Sequence, residues 1–180
     1  RYFMQKIGLN PETDAQLLEP ADASTVVAML QNGSGDVGNG AEPQISDGMA
    51  KGVWGEPFYK FPDMGDFSYS VFGTKKSTIE KDPQTVQKFT NAIVKALKTI
   101  QTNKTLAKKD LKLEFPTLSD QSLNDSLKRA YEDHLWSPDG FISQKAVEND
   151  MDVLIKTGIY TGSYTYNDLV NMRFVKKTQS

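Results

Sequence analysis

The sequence predicts an α/β fold, and two observations lead to this class. Residues 1–67 hold most of the glycines and alternate strand-like segments with short helical segments, which is typical of a parallel sheet covered by helices. Residues from about 75 onward carry long amphipathic helical patterns and few glycines. Hydrophobic residues make up 38% of the 180 residues, which is enough for a folded core.

Short helices and strands are predicted to alternate in residues 1–67. Three helices are predicted, and each stops at a glycine that can end it: one finishing at Gly8, one opened by residues 21–24 and ending at Gly33, and one with Pro43 in its first turn and Gly52 past its end. The strand candidates between them are residues 15–19, 36–39 and 53–54.

Residues 67–73 alternate aromatic or apolar side chains with small ones, and this period of two predicts a strand. The segment follows a turn-rich stretch that contains Pro57, Pro62 and Gly65. We therefore interpret it as a crossing strand between two structural units, one formed by residues 1–67 and the other by residues 68–180.

Four helices are predicted after the crossing strand. The first is capped by Asp82, the second covers residues 119–135, the third is capped by Ser143 and stops at Gly158, and the fourth starts with a capping box at Thr165. Their predicted apolar faces are Val86, Phe89, Ile93, Leu97 and Ile100; Leu123, Leu127, Tyr131 and Leu135; Val147, Met151 and Leu154; and Leu169 and Met172.

Composition excludes several classes of function. The chain has no cysteine and one histidine, which rules out thiol catalysis, disulfides and a Cys/His zinc site. The net charge of −2 and the lack of aromatics among the lysines of residues 104–112 give no reason to expect nucleic-acid binding. No apolar run approaches the roughly 20 residues of a membrane span.

Two features that could suggest an enzyme are better explained otherwise. Residues 33–38 match the G-x-G-x-x-G pattern, but a helix precedes them and Pro43 soon follows, so they predict a helix end and a turn. The single histidine, His134, is predicted in the last turn of a helix, where a cation is favoured. No nucleophile motif accompanies it.

The segment from Asn39 to Pro43 has a placement suited to binding. A strand is predicted to end just before it and a helix to begin within it, which is the edge of a parallel sheet where open α/β folds bind ligands. The N–H groups of the helix start could hold an anionic oxygen. Glu42 could accept from an amine or hydroxyl of the ligand, or could serve only as a favourable charge at the helix start. The sequence leaves both roles of Glu42 open.

The order of these motifs resembles one family across nearly the whole chain. The matching stretches are residues 30–33, Asp36-Val37, Glu42-Pro43 and Gly52, followed by the aromatic crossing strand, the Asp82-Pro83 helix, and residues 135–143 and 166–175. Together they resemble the nitrate/taurine/sulfonate-type solute-binding proteins of ABC importers, which include binders of thiamine precursors.

The resemblance implies a type II periplasmic-binding-protein fold that is incomplete here. Residues 1–67 would be the remainder of the second lobe, and residues 68–180 would supply the crossing strand and the C-terminal helices of the first lobe. The N-terminus reads as the middle of a helix without a start methionine, so we expect the sequence to begin partway through a larger protein. Ligand capture would occur in an interlobe cleft closed by a hinge.

The resemblance also implies partners and a location. The ligand would be a small anionic or heteroaromatic nutrient, and the protein partner would be the membrane permease of an ABC transporter. The protein would act as a monomer without a cofactor on the periplasmic or extracellular face of the cell membrane, a setting that includes lipoproteins. It would not be an enzyme.

Site residues follow from the resemblance position by position. Asn39, Gly40, Ala41, Glu42 and Pro43 become the ligand-binding loop and helix start. Two further cleft candidates, Tyr69 and Ser70, lie on the crossing strand. Asp36 is interpreted as structural, and Trp54 and Trp136 as core residues.

Two alternative functions share this fold. One is a pyrimidine synthase of the thiamine pathway, whose chemistry would want histidines and cysteines that this chain largely lacks. The other is a sensory ligand-binding domain fused to a signalling protein. A signal peptide with a lipid-attachment cysteine upstream would favour the transporter.

Overall fold

The computed structural model describes residues 1–22 and 25–179. These described residues form ten α-helices and one 3₁₀ turn, with no strand among them. The helices are α1 (Tyr2–Lys6), α2 (Thr25–Gln31), α3 (Gln44–Ala50), α4 (Lys76–Lys81), α5 (Pro83–Thr102), α6 (Lys104–Glu114), α7 (Asp120–Glu132), α8 (Gln144–Lys156), α9 (Tyr166–Leu169) and α10 (Arg173–Lys176), and the 3₁₀ turn covers Phe61–Met64.

The predicted strands at residues 15–19, 36–39, 53–54 and 67–73 are not found in the described chain, so the α/β class is not confirmed. A strand needs a neighbouring strand to receive its backbone hydrogen bonds, and these segments have none in the described residues. In the predicted crossing strand, the Ser68 N–H is donated instead to Asp150 Oδ2 at 3.1 Å. The alternation of side chains therefore predicted a strand, but no neighbouring strand pairs with this segment among the described residues.

The short helices of residues 1–67 follow the prediction. After α2, Gly33 adopts a φ of 71°, its N–H bonds to the Leu30 carbonyl at 3.0 Å, and Ser34 N–H bonds to Met29 at 2.9 Å. This pair of backbone hydrogen bonds is typical of a helix that ends at a glycine, which adopts positive φ without the steric cost that a side chain would impose. It confirms that residues 33–38 begin as a helix end and a turn. The predicted helix opening includes Ala23 and Ser24, which lie outside the described residues.

The long helices α5, α7 and α8 are confirmed together with their caps. Asp82 Oδ1 accepts from Thr85 N–H at 3.0 Å, and the hydroxyls of Ser119 and Ser143 each accept a backbone N–H at 3.0 Å. Each cap satisfies an N–H group that the first helical turn leaves without a partner. The capping box between Thr165 and Asp168 is also present.

Several details of these helices differ from the prediction. Helix α7 ends at Glu132, so His134 and Leu135 lie beyond it; His134 has a φ of 50°, and Leu135 is exposed. The last predicted helix is split into α9 and α10 around residues 170–172. On α5, Val94 is the buried residue and Phe89 is half exposed. The other four residues of the predicted face are half-buried, so only Phe89 departs from that prediction.

Two helices, α4 and α6, were not predicted. Helix α6 covers the lysine-rich stretch, and its only buried residue is Ala107. Its apolar residues are too few and too scattered among charges for a clear amphipathic stripe. Lysine and leucine are nevertheless good helix formers, and local propensity accounts for this helix.

The chain groups into two compact units, and each is described by itself. Unit 1 consists of Arg1–Lys60 and Lys108–Asp133, and unit 2 consists of Phe61–Ala107 and the residues from His134 onward. In unit 1, α3 packs on α7, and in unit 2, α5 packs on α4 and α10. The assignment of these parts to the lobes of a binding protein stays a prediction.

Each unit has its own small core. In unit 1 the buried apolar residues include Val27, Leu123, Leu127 and Ala130. In unit 2 they include Val94, Ala107, Ala146, Val147, Met151, Phe174 and Val175. No helix among the described residues combines the length and the apolar character that crossing a membrane requires.

Substituting Asp82→Asn tests the cap of α5 through its pH dependence. Hydrogen bonds from Thr85 lower the pKa of Asp82 below its ordinary value, so the folded state favours the carboxylate. That contribution is present at neutral pH and is lost as the pH falls through the lowered pKa. Asparagine also caps helices, so the variant loses only the part of the cap that depends on charge. We therefore expect the wild type to have the higher urea midpoint at neutral pH and the two proteins to have equal midpoints in acid. A difference that stays constant with pH would rule out this role.

Candidate functional site

The five residues predicted to form the site stay together on one segment of unit 1, directly before α3. Asn39 and Ala41 are exposed, whereas Gly40, Glu42 and Pro43 are half-buried. The Glu42–Pro43 peptide bond is cis. The segment therefore combines an accessible backbone with an acidic side chain that turns toward the helix.

Glu42 caps the start of α3 with one of its two carboxylate oxygens. Its Oε2 accepts from the Ser46 N–H at 3.2 Å, and the side chain is only 13% exposed. The Ile45 N–H donates to the Ala41 carbonyl at 3.1 Å. A carboxylate at a helix N-terminus is stabilised by the free N–H groups there, so the structural role weighed for Glu42 is observed. The second oxygen, Oε1, lies outside this arrangement.

Arg129 of α7 approaches Glu42 from the neighbouring helix. Its Nε lies 3.3 Å from Glu42 Oε1, while its two terminal nitrogens contact the carboxylate of Glu56 at 2.9 and 3.1 Å. These hydrogen bonds lower the pKa of Glu56 and raise the pKa of Arg129. The Arg129 side chain is 16% exposed and Glu56 is 71% exposed, so the bidentate pair faces solvent and the pair with Glu42 faces the protein.

Three polar atoms beside the helix start lack hydrogen bonds in the described part of the chain. They are Glu42 Oε1, Arg129 Nε and the Ser46 hydroxyl, and all three atoms are buried. Ser46 is 2% exposed. Buried polar groups are nearly always hydrogen-bonded, so unsatisfied ones call for an explanation such as water or a bound molecule. These atoms give the site its unused hydrogen-bonding capacity.

Trp54 shapes the backbone next to the site. Its indole N–H donates to the Ile45 carbonyl at 2.8 Å. A Cβ on Gly38 would lie 2.9 Å from the indole ring, on Gly40 3.4 Å, and on Gly48 2.5 Å. Gly38 and Gly48 therefore allow a close approach that no side chain could replace without displacing the ring. Contact with Trp54, together with a still closer approach of the Leu30 side chain, accounts for Gly38, the last glycine of the G-x-G-x-x-G pattern.

The other two predicted residues, Tyr69 and Ser70, belong to unit 2. Tyr69 is 91% exposed, and Ser70 is also exposed. Nearby, the rings of Phe72 and Phe89 meet edge to face at a centroid distance of 5.2 Å. The structure does not bring Tyr69 and Ser70 into one unit with the loop around Glu42, and their role stays a prediction.

Sequence reasoning missed Arg129 and Glu56. The two residues are 73 positions apart, and neither belongs to a recognisable motif. On α7, Arg129 follows buried Leu127 by two positions, and a single arginine at the edge of an amphipathic helix is an ordinary surface residue by pattern. Only the packing of α3 on α7 reveals that it meets Glu42.

Metal-binding and histidine chemistry find no support in the described residues. No group of three or more acidic or histidine side chains converges there in a way that could hold a metal ion. His134 is exposed beyond the end of α7. A shallow groove of about 400 Å³ lies elsewhere, in unit 2, and is lined by residues including Phe141, Tyr166, Asn167, Arg173 and Lys176.

Comparison with known proteins gives one relative with an informative name. Over 181 aligned residues, the chain is 28% identical to the Bacillus subtilis (strain 168) protein named "Putative binding protein YtlA". The alignment covers 99% of this chain and 54% of the relative, so the chain spans about half the length of that protein. No protein-family model matches the chain. No solved structure matches it either.

Proposed function

We propose that this chain belongs to an extracytoplasmic solute-binding protein of an ABC importer. The carrying observation is its similarity, along nearly its whole length, to a protein named as a binding protein. The sequence resemblance to nitrate/taurine/sulfonate-type binding proteins supports the finer part of the proposal. That part comprises a nutrient of the sulfonate, nitrate or thiamine-precursor class, a membrane permease as partner, and a periplasmic or extracellular location.

The proposed ligand contacts are Asn39, Gly40, Ala41, Glu42 and Pro43, with Tyr69 and Ser70 as further predicted contacts. The unused Oε1 of Glu42 and the buried Ser46 hydroxyl support this choice, because both can hydrogen-bond to a bound molecule. Capture by hydrogen bonds of this kind requires no nucleophile or proton transfer. The proposed role is therefore binding without chemical change.

The charge around the loop favours one ligand class over another. Unit 1 contains fourteen Asp and Glu residues against nine Lys and Arg residues. The nearby cation, Arg129, is already paired with two carboxylates. A ligand bearing N–H or O–H donors would gain a charge-assisted bond at Glu42, whereas an oxyanion there would be repelled. Among the ligand classes predicted from the sequence, we therefore favour a heteroaromatic, amine-bearing nutrient.

A thermal-shift panel on the full-length protein tests the proposal. The panel contains nitrate, taurine and the hydroxymethylpyrimidine precursor of thiamine, each followed for consumption by NMR. We expect a rise in Tm with the pyrimidine and complete recovery of the compound, because binding only the folded state stabilises it. No stabilisation by any compound would contradict ligand capture of these classes. Consumption over time would favour the enzyme of the same fold.

Substituting Glu42→Gln should weaken binding of the pyrimidine probe more than it weakens the fold. Glutamine retains an oxygen that can cap the Ser46 N–H but loses the charge that strengthens a bond to the ligand. We expect about a tenfold increase in Kd by calorimetry, corresponding to about 1.4 kcal/mol. If the affinity is unchanged while Tm falls, Glu42 is only a charge at the start of α3.

Asp47→Asn is the matched control for this substitution. Asp47 lies in the first turn of α3 as well, and it forms an ion pair with Lys51 at 2.6 Å. Its removal takes the same charge from the same helix end without changing a proposed ligand contact. We expect the probe to bind the Asp47 variant with nearly the wild-type Kd. An equal loss in both variants would show that only the general charge of the helix start matters.

A further inference from the structure

We propose that Arg129 is a positioning residue for the candidate site. It holds the Glu42 carboxylate so that Oε2 caps the Ser46 N–H while Oε1 remains open to a hydrogen bond from a bound molecule. This inference rests on the proposed function for its ligand-binding part. The orientation of Glu42 can be tested without any ligand.

The first step of the argument is that the Arg129 guanidinium is itself fixed. Both terminal nitrogens bond to the two oxygens of Glu56, at 2.9 and 3.1 Å, and one of them also lies 3.0 Å from Met49 Sδ. A bidentate arginine–carboxylate pair constrains the plane of the guanidinium more strongly than a single contact does. Glu56 and Met49 thus both constrain the Arg129 guanidinium.

The second step concerns the contact between Arg129 and Glu42. The atoms Nε and Oε1 are 3.3 Å apart, close enough for strong attraction between charges. Neither atom has a hydrogen-bond partner, which means that their alignment is poor. Arg129 therefore attracts the carboxylate without filling the lone pairs of Oε1, and that oxygen retains its capacity to accept.

The third step is what Glu42 would do without this attraction. Its side chain is 13% exposed, and a largely buried carboxylate without a paired cation is unfavourable. The side chain would turn toward water and leave the Ser46 N–H without its acceptor. Arg129 lies on α7 and contacts only Glu42 among the proposed ligand contacts. Its effect on ligand binding would therefore be indirect, through the orientation of Glu42.

Hydrogen exchange at the Ser46 amide tests the orientation directly in the full-length protein. We expect Arg129→Met to speed exchange of this amide by about ten- to a hundredfold, the factor expected for losing a hydrogen bond to a charged group. The amide of Val147 in α8, bonded to the Ser143 carbonyl, should exchange as in wild type. Arg129→Lys retains the charge without the planar fork, so its effect should be intermediate.

Lys128→Met is the matched control. Lys128 is the neighbouring residue on α7, its side chain is 72% exposed, and it forms an ion pair with Glu132 at 3.9 Å. The same substitution there should leave Ser46 exchange unchanged. Equal Ser46 exchange in wild type and Arg129→Met, or an equal acceleration in Lys128→Met, would overturn the proposal.

Two further measurements keep the outcome decisive. If Arg129→Met does not fold, Glu56→Gln takes its place, because it weakens the contact that fixes Arg129. We expect this variant to speed Ser46 exchange by about two- to fivefold. Unchanged Ser46 exchange would overturn the proposal. Calorimetry with the hydroxymethylpyrimidine precursor of thiamine should show weaker binding to the Arg129→Lys variant than to wild type. If wild type does not bind this probe, the ligand assignment fails, while Ser46 exchange still decides whether Arg129 holds Glu42.

Discussion

Substituting Gly48→Ala is expected to destabilise the protein by about 2–3 kcal/mol, because it drives a methyl group into the Trp54 ring. A Cβ at position 48 would lie 2.5 Å from Trp54 Cε2, 2.6 Å from Nε1 and 2.8 Å from Cζ2. The ring must move, and its hydrogen bond to the Ile45 carbonyl is strained or lost. Chemical denaturation of wild type and variant measures the difference in the free energy of unfolding.

Helix propensity predicts the opposite sign for the same substitution. Gly48 lies inside α3, where alanine is favoured over glycine by about 1 kcal/mol. The measured sign therefore decides whether contact with Trp54 or helix propensity dominates. Gly55→Ala serves as the control, since a Cβ there meets nothing within 4 Å. A stable Gly48 variant would show that Trp54 does not pack on α3 as described.

Substituting Leu123→Ala is expected to cost about 2–5 kcal/mol, the usual range for truncating a buried leucine. Leu123 is fully buried, with 0% exposure, in the first half of α7. The substitution loses the transfer free energy of the buried methyl groups, and it leaves a cavity because the surrounding helices relax only partly. A urea or thermal denaturation series compares the free energies of unfolding.

Leu113→Ala provides the comparison for this core substitution. Leu113 is in α6 of the same unit but is 73% exposed, so its truncation should change stability by less than about 0.5 kcal/mol. Similar losses at both positions would contradict the placement of Leu123 in the core of unit 1. The contrast also tests the position of α7, the helix that carries Arg129.

The helices with cap or glycine signals were predictable because those signals are local. Asp82, Ser119 and Ser143 each cap a helix through atoms three residues away, and Gly33 ends α2 through contacts within five residues. Such signals do not depend on the rest of the fold. The end of α7 was placed three residues too late because Leu135 continues the spacing of four, although the backbone already turns at His134.

The strands and the site contacts were not predictable in the same way. A strand such as residues 67–73 depends on a partner that the local sequence does not specify. The ion pair between Glu42 and Arg129 depends on how α3 packs on α7, and no spacing rule relates residues of different helices. The candidate loop was predicted from its place between an expected strand and a helix, and from the order of motifs; the strand is not found in the described residues, and the contact of Arg129 with the Glu42 carboxylate is visible only in the structure.

An NMR titration of the full-length protein with the hydroxymethylpyrimidine precursor of thiamine tests the central claim most directly, because it shows both where the compound binds and whether it changes. The account predicts saturable shifts that are largest at the amides of Gly40, Ala41 and Ser46, with the compound recovered intact. Shifts centred instead on the groove beside Phe141 and Tyr166, or conversion of the compound, would contradict it.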